Sequence, residues 1–260
     1  MKIAVCIKQV PVSDQVKTDP LTHNLIRENS DMAMNPADMN ALTEAIGIKN
    51  AAGALLDVYT MGAQPAADVL RTALAVGADN AYLVTDRAFA GGDSLATAKV
   101  LKAAIESVDS YDLIVCGALA SDGATGQVGP MLAQLFDIPS VTDVKRAEFA
   151  KEEEKLTVYK AWNGNLAKLK LSLPGLITVS LGCNAPILPT LRSQMKAKKR
   201  EIISITNSEL ALNPEKIGTK GALSVVTDTY MRPKSAGHSQ MITGTADEIA
   251  AQILDLIKER

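Results

Sequence analysis

Residues 121–130 read Ser-Asp-Gly-Ala-Thr-Gly-Gln-Val-Gly-Pro and run into a stretch of helical period. Small residues let backbone N–H groups close on an anion, and the N-terminus of a helix adds a favourable partial charge. Thr125 contributes a hydroxyl donor. The ligand that suits such a loop is a phosphate of a nucleotide, with Asp122, Gly123, Ala124, Thr125, Gly126, Gln127 and Val128 as the candidate contacts. Taken alone, the same residues also make an ordinary Gly-rich helix start. A second loop, Phe89-Ala90-Gly91-Gly92-Asp93-Ser94-Leu95-Ala96-Thr97, offers glycines before a helix and reads equally well as a capped turn.

Other chemistries lack their residues. There is no GxxxxGK[ST], which argues against a P-loop NTPase. The first apolar run is followed by KQVPVSD and not GxGxxG, which argues against an ordinary Rossmann dehydrogenase. His23 and His238 are the two histidines, both in loop-like settings, so neither a zinc site nor a Ser-His-Asp triad finds its parts. No nucleophile–base pair or carboxylate pair stands out. The three cysteines, Cys6, Cys116 and Cys183, lie in or beside apolar runs without CxxC spacing, as reduced core thiols of a cytoplasmic protein would. What remains is nucleotide binding without acid–base machinery: a carrier, a sensor, or a subunit whose chemistry belongs to a cofactor.

Such loops need a scaffold, and the apolar pattern supplies one. Periodicity predicts strands over 2–7, 55–61, 81–84 and 113–116, alternating with helices over 36–50, 65–76, 94–106 and 125–136. Asn35 is the expected cap of the first helix with Pro36 at its first position, Gly77 ends the second, and Asp93 caps the third. Repeated strand–loop–helix order implies an open, doubly wound, mostly parallel α/β sheet, whose ligands bind beyond the carboxyl ends of the strands. Those ends hold residues 6–11, 34–38, 61–62 and 117–129.

After residue 143 the texture changes. Residues 147–157 are rich in charge, and Asn163-Gly164 between two apolar runs, 156–162 and 166–173, signals an antiparallel hairpin. A further strand is expected over 175–181. Residues 184–200 form a Pro-punctuated loop leading to Lys196, Lys198, Lys199 and Arg200, either a solvated helix end or a docking surface for an acidic partner. The expected division is an α/β domain over 1–205 and an arm with a terminal helix over 206–260. That helix, 245–260, begins with a Thr245–Glu248 capping box and gathers Ile249, Ile253, Leu254 and Ile257 on one face. Pattern alone leaves open whether it folds back or packs on another protein.

Composition narrows the partners. Lys+Arg 27 against Asp+Glu 29 gives a net charge of -2, and aromatics are 3% of 260 residues, which speaks against nucleic acid. No apolar run approaches the ~18 residues of a membrane span, and the opening residues do not read as a signal peptide.

In order along nearly the whole chain, MKIAVCIKQVP, MNPAD at 34–38, LRTALAVGAD at 70–79, the SDGATGQVGP loop and MKAKKREI at 195–202 resemble the beta subunit of electron-transfer flavoproteins. The resemblance implies an open α/β sheet with an extension that clasps an alpha subunit, and an adenine nucleotide in the beta subunit. In housekeeping members that nucleotide is AMP. In the electron-bifurcating branch of anaerobes it is a second FAD that accepts hydride from NADH. Electrons then divide between ferredoxin or flavodoxin and an acyl-CoA dehydrogenase or related flavoenzyme. The stretch DRAFAGGDSLAT, residues 86–97, is similar to the bifurcating branch, which favours FAD and NADH over AMP.

By the same resemblance, Cys6 and Lys8 would lie under the adenosine end, and Asn35, Pro36 and Asp38 would hold adenine and ribose, with Met61 at the border. Residues 122–128 would meet the phosphates, and Asp93, Ser94 and Thr97 would lie near the second flavin. Residues 187–195 match the family's recognition loop, with Leu191 as its anchor and Met195, Lys196 and Lys198 beside it. The chain departs from the family where an Arg and an aromatic are usual and Ile187 and Leu188 stand. It departs again at Asn163 and Ala167 in the hairpin and at Ala124 in place of a common Asp. These departures imply a less usual dehydrogenase, such as a lactate- or enoyl-CoA-type enzyme.

Overall fold

The computed structural model describes residues 1–12, 31–150, 155–227 and 241–258. His23, His238 and the acidic run at 152–154 lie outside the described residues. Two compact units are present, Met1–Thr227 and Asp228–Arg260.

The first unit begins with β1 (Lys2–Cys6), a short antiparallel pair β2 (Gln9–Pro11) and β3 (Met32–Met34), and helix α1 (Pro36–Ala52). It continues through β4 (Leu55–Met61), α2 (Ala67–Val76), β5 (Asn80–Val84), α3 (Ser94–Val108), β6 (Leu113–Gly117) and α4 (Val128–Phe136). Then follow β7 (Ser140–Ala150), β8 (Lys155–Trp162), β9 (Asn165–Leu171), β10 (Gly175–Val179), α5 (Leu191–Lys198) and β11 (Ile203–Ile205). Two single-turn helices, α6 (Asn207–Leu210) and α7 (Gly218–Gly221), follow. The second unit contains α8 (Ala246–Lys258).

One nine-stranded sheet runs in the order β11-β5-β4-β1-β6-β10-β7-β8-β9. The first seven in that order are parallel, and β7-β8-β9 are antiparallel. This is the expected open, doubly wound α/β sheet with its hairpin extension. Alternation decides the layers, because successive strand residues point to opposite faces. Ile3 and Val5 join Leu56, Val58 and Val115 under α1 and α2. Ala4 and Cys6 join Tyr59, Ile114 and Cys116 under α3 and α4. Central strands buried on both faces explain why their sequences read as continuous apolar runs.

Three elements differ from the sequence expectation. Helix α4 starts at Val128 and not at 125, because Ala124 (φ 49°) and Gly126 (φ 62°) take left-handed backbone that cannot continue a helix. The charged run after 143 is largely strand: β7 extends to Ala150 and pairs with β8 from Val144 through Ala150. Residues 206–224, which show little periodicity, lie along the sheet's helical layer. Ile217 is buried in the cluster under α3, and the compact unit runs past the expected boundary at 205.

In the second unit, the main-chain N–H and hydroxyl of Thr245 both donate to Glu248 Oε2, at 2.8 and 2.9 Å. These bonds hold the Glu248 carboxyl below its usual range. Helix α8 keeps Ile253, Leu254 and Ile257 exposed.

Candidate nucleotide site

Strand order reverses at β1. The chain leaves it for β4 and β5 on one side and returns to β6 on the other. The crevice beyond the carboxyl ends of β1 and β6 is therefore the expected ligand position in this architecture. Asp38, in the first turn of α1, closes the back of that crevice. Its Oδ2 accepts the main-chain N–H of Lys8 at 2.7 Å and its Oδ1 that of Gly117 at 3.1 Å, so one carboxylate ties the ends of both strands. Its residue is 6% exposed, and burial pushes the carboxyl up to about 7, against the opposing pull of Asn35, the two amides and the Lys8 charge. Gly117 is required there: a Cβ would stand 2.1 Å from Asp38 Oδ1.

Asn35 does not cap α1 with its side chain. Its Nδ2 instead donates to the Leu119 carbonyl at 2.9 Å, and its Oδ1 accepts the Ser121 N–H at 3.1 Å. Pro36 occupies the first helical turn as expected. The helix start thereby anchors the Gly-rich loop. Lys8 completes the frame, its Nζ standing 2.7 Å from Asp122 Oδ1, with the Asp122 side chain 6% exposed.

The loop itself folds on its own backbone, with Ala124 N–H donating to the Ala120 carbonyl at 2.7 Å. Among the described residues, the amides of Gly123, Thr125 and Gly126 find no protein acceptor. A Cβ at Gly126 would lie 3.3 Å from the Ala118 carbonyl, whereas one at Gly123 would meet nothing within 4 Å. Unpartnered amides ahead of a nine-residue helix fit an anionic phosphate. Gln127 and Val128 lead into that helix, and Gly129 lets it settle on β10, where a Cβ would meet Thr178 Cγ2 at 2.4 Å.

Ser94 Oγ lies 3.2 Å from Thr125 Oγ1, which brings the second Gly-rich loop to the first. Thr97 is half-buried on the first turn of α3. Asp93 caps α3 as expected, accepting the Ala96 N–H at 2.9 Å. Its other oxygen accepts the N–H groups of Leu223 and Ser224 at 2.9 and 3.1 Å. Burial works to raise its pKa, but these hydrogen bonds prevail and hold the carboxyl low. Asp86 binds Ala88 N–H at 2.9 Å and Asn207 N–H at 3.0 Å in the same manner. The acidic residues of the 86–97 stretch thus fasten residues 207–224 onto the loop.

Cys6 and Cys116 are register partners at the ends of β1 and β6, beneath the crevice. The Cys6 thiol and burial together push Cys116 well up, so it is a neutral thiol. Met61, at the end of β4, packs against the same cluster. Among the described residues no group of His, Cys, Asp and Glu could hold a metal ion, and no helix is long and apolar enough to cross a membrane.

The expected recognition residues gather elsewhere, on α5 and the loop before it. Leu188 and Leu191 are 73% and 76% exposed, and Met195, Lys196 and Lys198 are exposed too. Ala197 is the buried residue of this helix, and Arg71 of α2 donates to its carbonyl at 2.9 Å.

Sequence reasoning passed over Asn40, Glu44 and Asn184. The available signal was a polar i, i+3, i+4 set on α1, Asn40, Thr43 and Glu44.

The fold and crevice define an open α/β nucleotide-binding protein. A family model described as the electron transfer flavoprotein domain matches residues 22–210. The chain is 40% identical over its full length to the electron transfer flavoprotein subunit beta of Thermoanaerobacterium thermosaccharolyticum, covering 99% of that protein. It is 37% identical over its full length, and 99% of the relative, to the caffeyl-CoA reductase-Etf complex subunit CarD of Acetobacterium woodii. Protein FixA of Sinorhizobium fredii is 38% identical over 88% of this chain and 83% of its own length. This chain belongs to the electron transfer flavoprotein family, as a beta subunit and electron carrier.

Proposed function

We propose that this chain is the beta subunit of a bifurcating electron-transfer flavoprotein. It binds FAD in the β1/β6 crevice, receives hydride from NADH there, and directs electrons two ways. One path leads to ferredoxin or flavodoxin. The other leads through an alpha subunit to an acyl-CoA dehydrogenase or related flavoenzyme.

The observation that carries this reading is the contact between the two Gly-rich loops, Ser94 Oγ 3.2 Å from Thr125 Oγ1, which sets the 86–97 stretch beside the 121–130 loop. AMP would end at the phosphate loop; FAD needs a second surface beyond it. The full-length likeness to a subunit of a caffeyl-CoA reductase-Etf complex supports the same branch.

FAD, when bound, supplies the redox chemistry. The protein's part is to hold it. Asn35, Pro36 and Asp38 shape the adenosine end, with Cys6 beneath and Met61 at its edge. Lys8, held toward the Gly-rich loop by Asp122 and not under the adenosine end, receives the phosphates together with the amides of Gly123, Thr125 and Gly126, and Ser94 and Thr97 face the flavin end. Asp93 acts indirectly, by capping α3 and fastening the 223–224 backbone. No general base is required. Leu191 and Met195, flanked by Lys196 and Lys198, form the docking surface for the dehydrogenase. Helix α8 packs on the alpha subunit through its exposed apolar face, whereas residues 206–224 of the expected arm are taken up by the α/β unit itself. The protein works in the cytoplasm.

The test is to purify the chain with its alpha subunit and count flavins per heterodimer, with mass detection of AMP. Two FAD and no AMP is the expected result. One FAD and one AMP would overturn the bifurcating reading and leave a housekeeping carrier without NADH oxidation.

A further inference from the structure

Helix α1 serves the nucleotide crevice with its first turn, yet its next two turns hold something else. Asn40 is 2% exposed, and every polar atom of its side chain is engaged with the loop that follows β10. Its Nδ2 donates to both the carbonyl and Oδ1 of Asn184, each at 2.8 Å, and its Oδ1 accepts the N–H of Gly182 at 2.9 Å. Asn184 answers by donating its Nδ2 to the Asn40 carbonyl at 3.1 Å and to Glu44 Oε2 at 3.0 Å. Glu44 Oε1 in turn accepts the Ala147 N–H of β7 at 2.6 Å. Two residues further along the loop than Pro186's neighbour Ala185, the Ile187 N–H donates to Thr43 Oγ1 at 3.1 Å.

The loop needs such a clasp. Leu188 and Leu191 are among its most exposed residues, so burial of its own apolar side chains cannot hold it in place. Side-chain bonds from a rigid helix can, and a fully satisfied buried amide specifies one geometry. We infer that Asn40, acting through Asn184, is a positioning residue for the docking loop: the reciprocal Asn40–Asn184 clasp sets where Ile187, Leu188 and Leu191 are presented. The inference rests on the reading of that loop as the dehydrogenase docking surface.

The experiment uses the alpha–beta heterodimer with a short-chain acyl-CoA dehydrogenase as electron acceptor, and compares Asn184→Ala, Asn40→Asp and Leu191→Ala with the parent. Asn40→Asp keeps an acceptor for Gly182 and loses the donor to Asn184. Both clasp variants should raise KM for the dehydrogenase five- to twentyfold, with kcat and flavin content unchanged, and should speed hydrogen exchange at the Ile187 amide at least tenfold. Unchanged KM in both, while Leu191→Ala raises it, would overturn the clasp and leave the docking surface standing. If Leu191→Ala has no effect on KM, the docking reading itself fails. Unchanged amide exchange in both clasp variants would then overturn the clasp as well.

Discussion

Lys8 and Asp122 are 114 positions apart in the chain, yet the Lys8 ammonium stands 2.7 Å from the Asp122 carboxylate. The pair joins the exit of β1 to the Gly-rich loop after β6, across the point where strand order reverses. Asp122 immediately precedes the loop residues Gly123 to Gly126, so the pair brings the Lys8 charge to the start of that loop. A partly exposed ion pair contributes little to stability, roughly 0–1 kcal/mol. Its value is in placing a positive charge at the mouth of the crevice.

Lys8→Met should therefore separate binding from folding. Nucleotide retained after gel filtration should fall, with affinity weakened about tenfold, the loss of one charge-assisted contact. The denaturation midpoint should move little. Full nucleotide content in the variant would mean that Lys8 does not face the phosphates.

The two loop glycines give a sharper contrast. A Cβ at Gly123 meets nothing within 4 Å, whereas Gly126 has φ 62° and the Ala118 carbonyl 3.3 Å away. Gly123→Val should leave the melting temperature unchanged and still abolish nucleotide binding, because the new side chain occupies the ligand's approach. Gly126→Val should lose both, through strain at positive φ. Calorimetry and nucleotide release after acid treatment check both variants.

Gly117→Ala should destabilise the protein by about 2 kcal/mol or more, since the added methyl group meets Asp38 Oδ1 at 2.1 Å and the α1 backbone at 2.9 Å. A urea titration reads this directly. An unchanged midpoint would contradict the close approach of β6 to α1.

Asp38 makes stability depend on pH. Its folded carboxyl titrates at about 7, well above an ordinary carboxylate. Between pH ~4 and ~7 the folded state keeps this proton while the unfolded chain has released it, so the Asp38 contribution falls as pH rises through that window. The slope from one proton is at most about 1.4 kcal/mol per pH unit. Asp38→Asn should flatten that part of the profile and lower stability at acid pH. Identical profiles for variant and parent would exclude the assignment.

Much of the scaffold is legible locally. Strand β4 runs over 55–61 as its apolar pattern implies, Asp93 caps α3, and Asn163-Gly164 turns the hairpin. The Gly-rich segment before α4 is visible in the composition of residues 121–130. These features depend on hydrogen bonds and side-chain alternation within a few residues, which spacing encodes. The partners of the site residues are of another kind. Asn35 has the residue type and position of a helix cap, yet its side chain bonds to Leu119 and Ser121, 84 and 86 positions away. Asp93 looks available to a ligand and is taken up by Leu223 and Ser224. Asn40 looks like an ordinary helix residue until Asn184 is brought beside it.

The amino-acid sequence by itself determined which segments alternate as strand and helix, where a Gly-rich loop precedes a helix, and the family to which the chain belongs. Only the tertiary structure decided what Asn35, Asp38, Asp93 and Asn40 touch. The order of strands in the sheet sets those contacts, and strand order is a property of the whole packed core that no local spacing specifies.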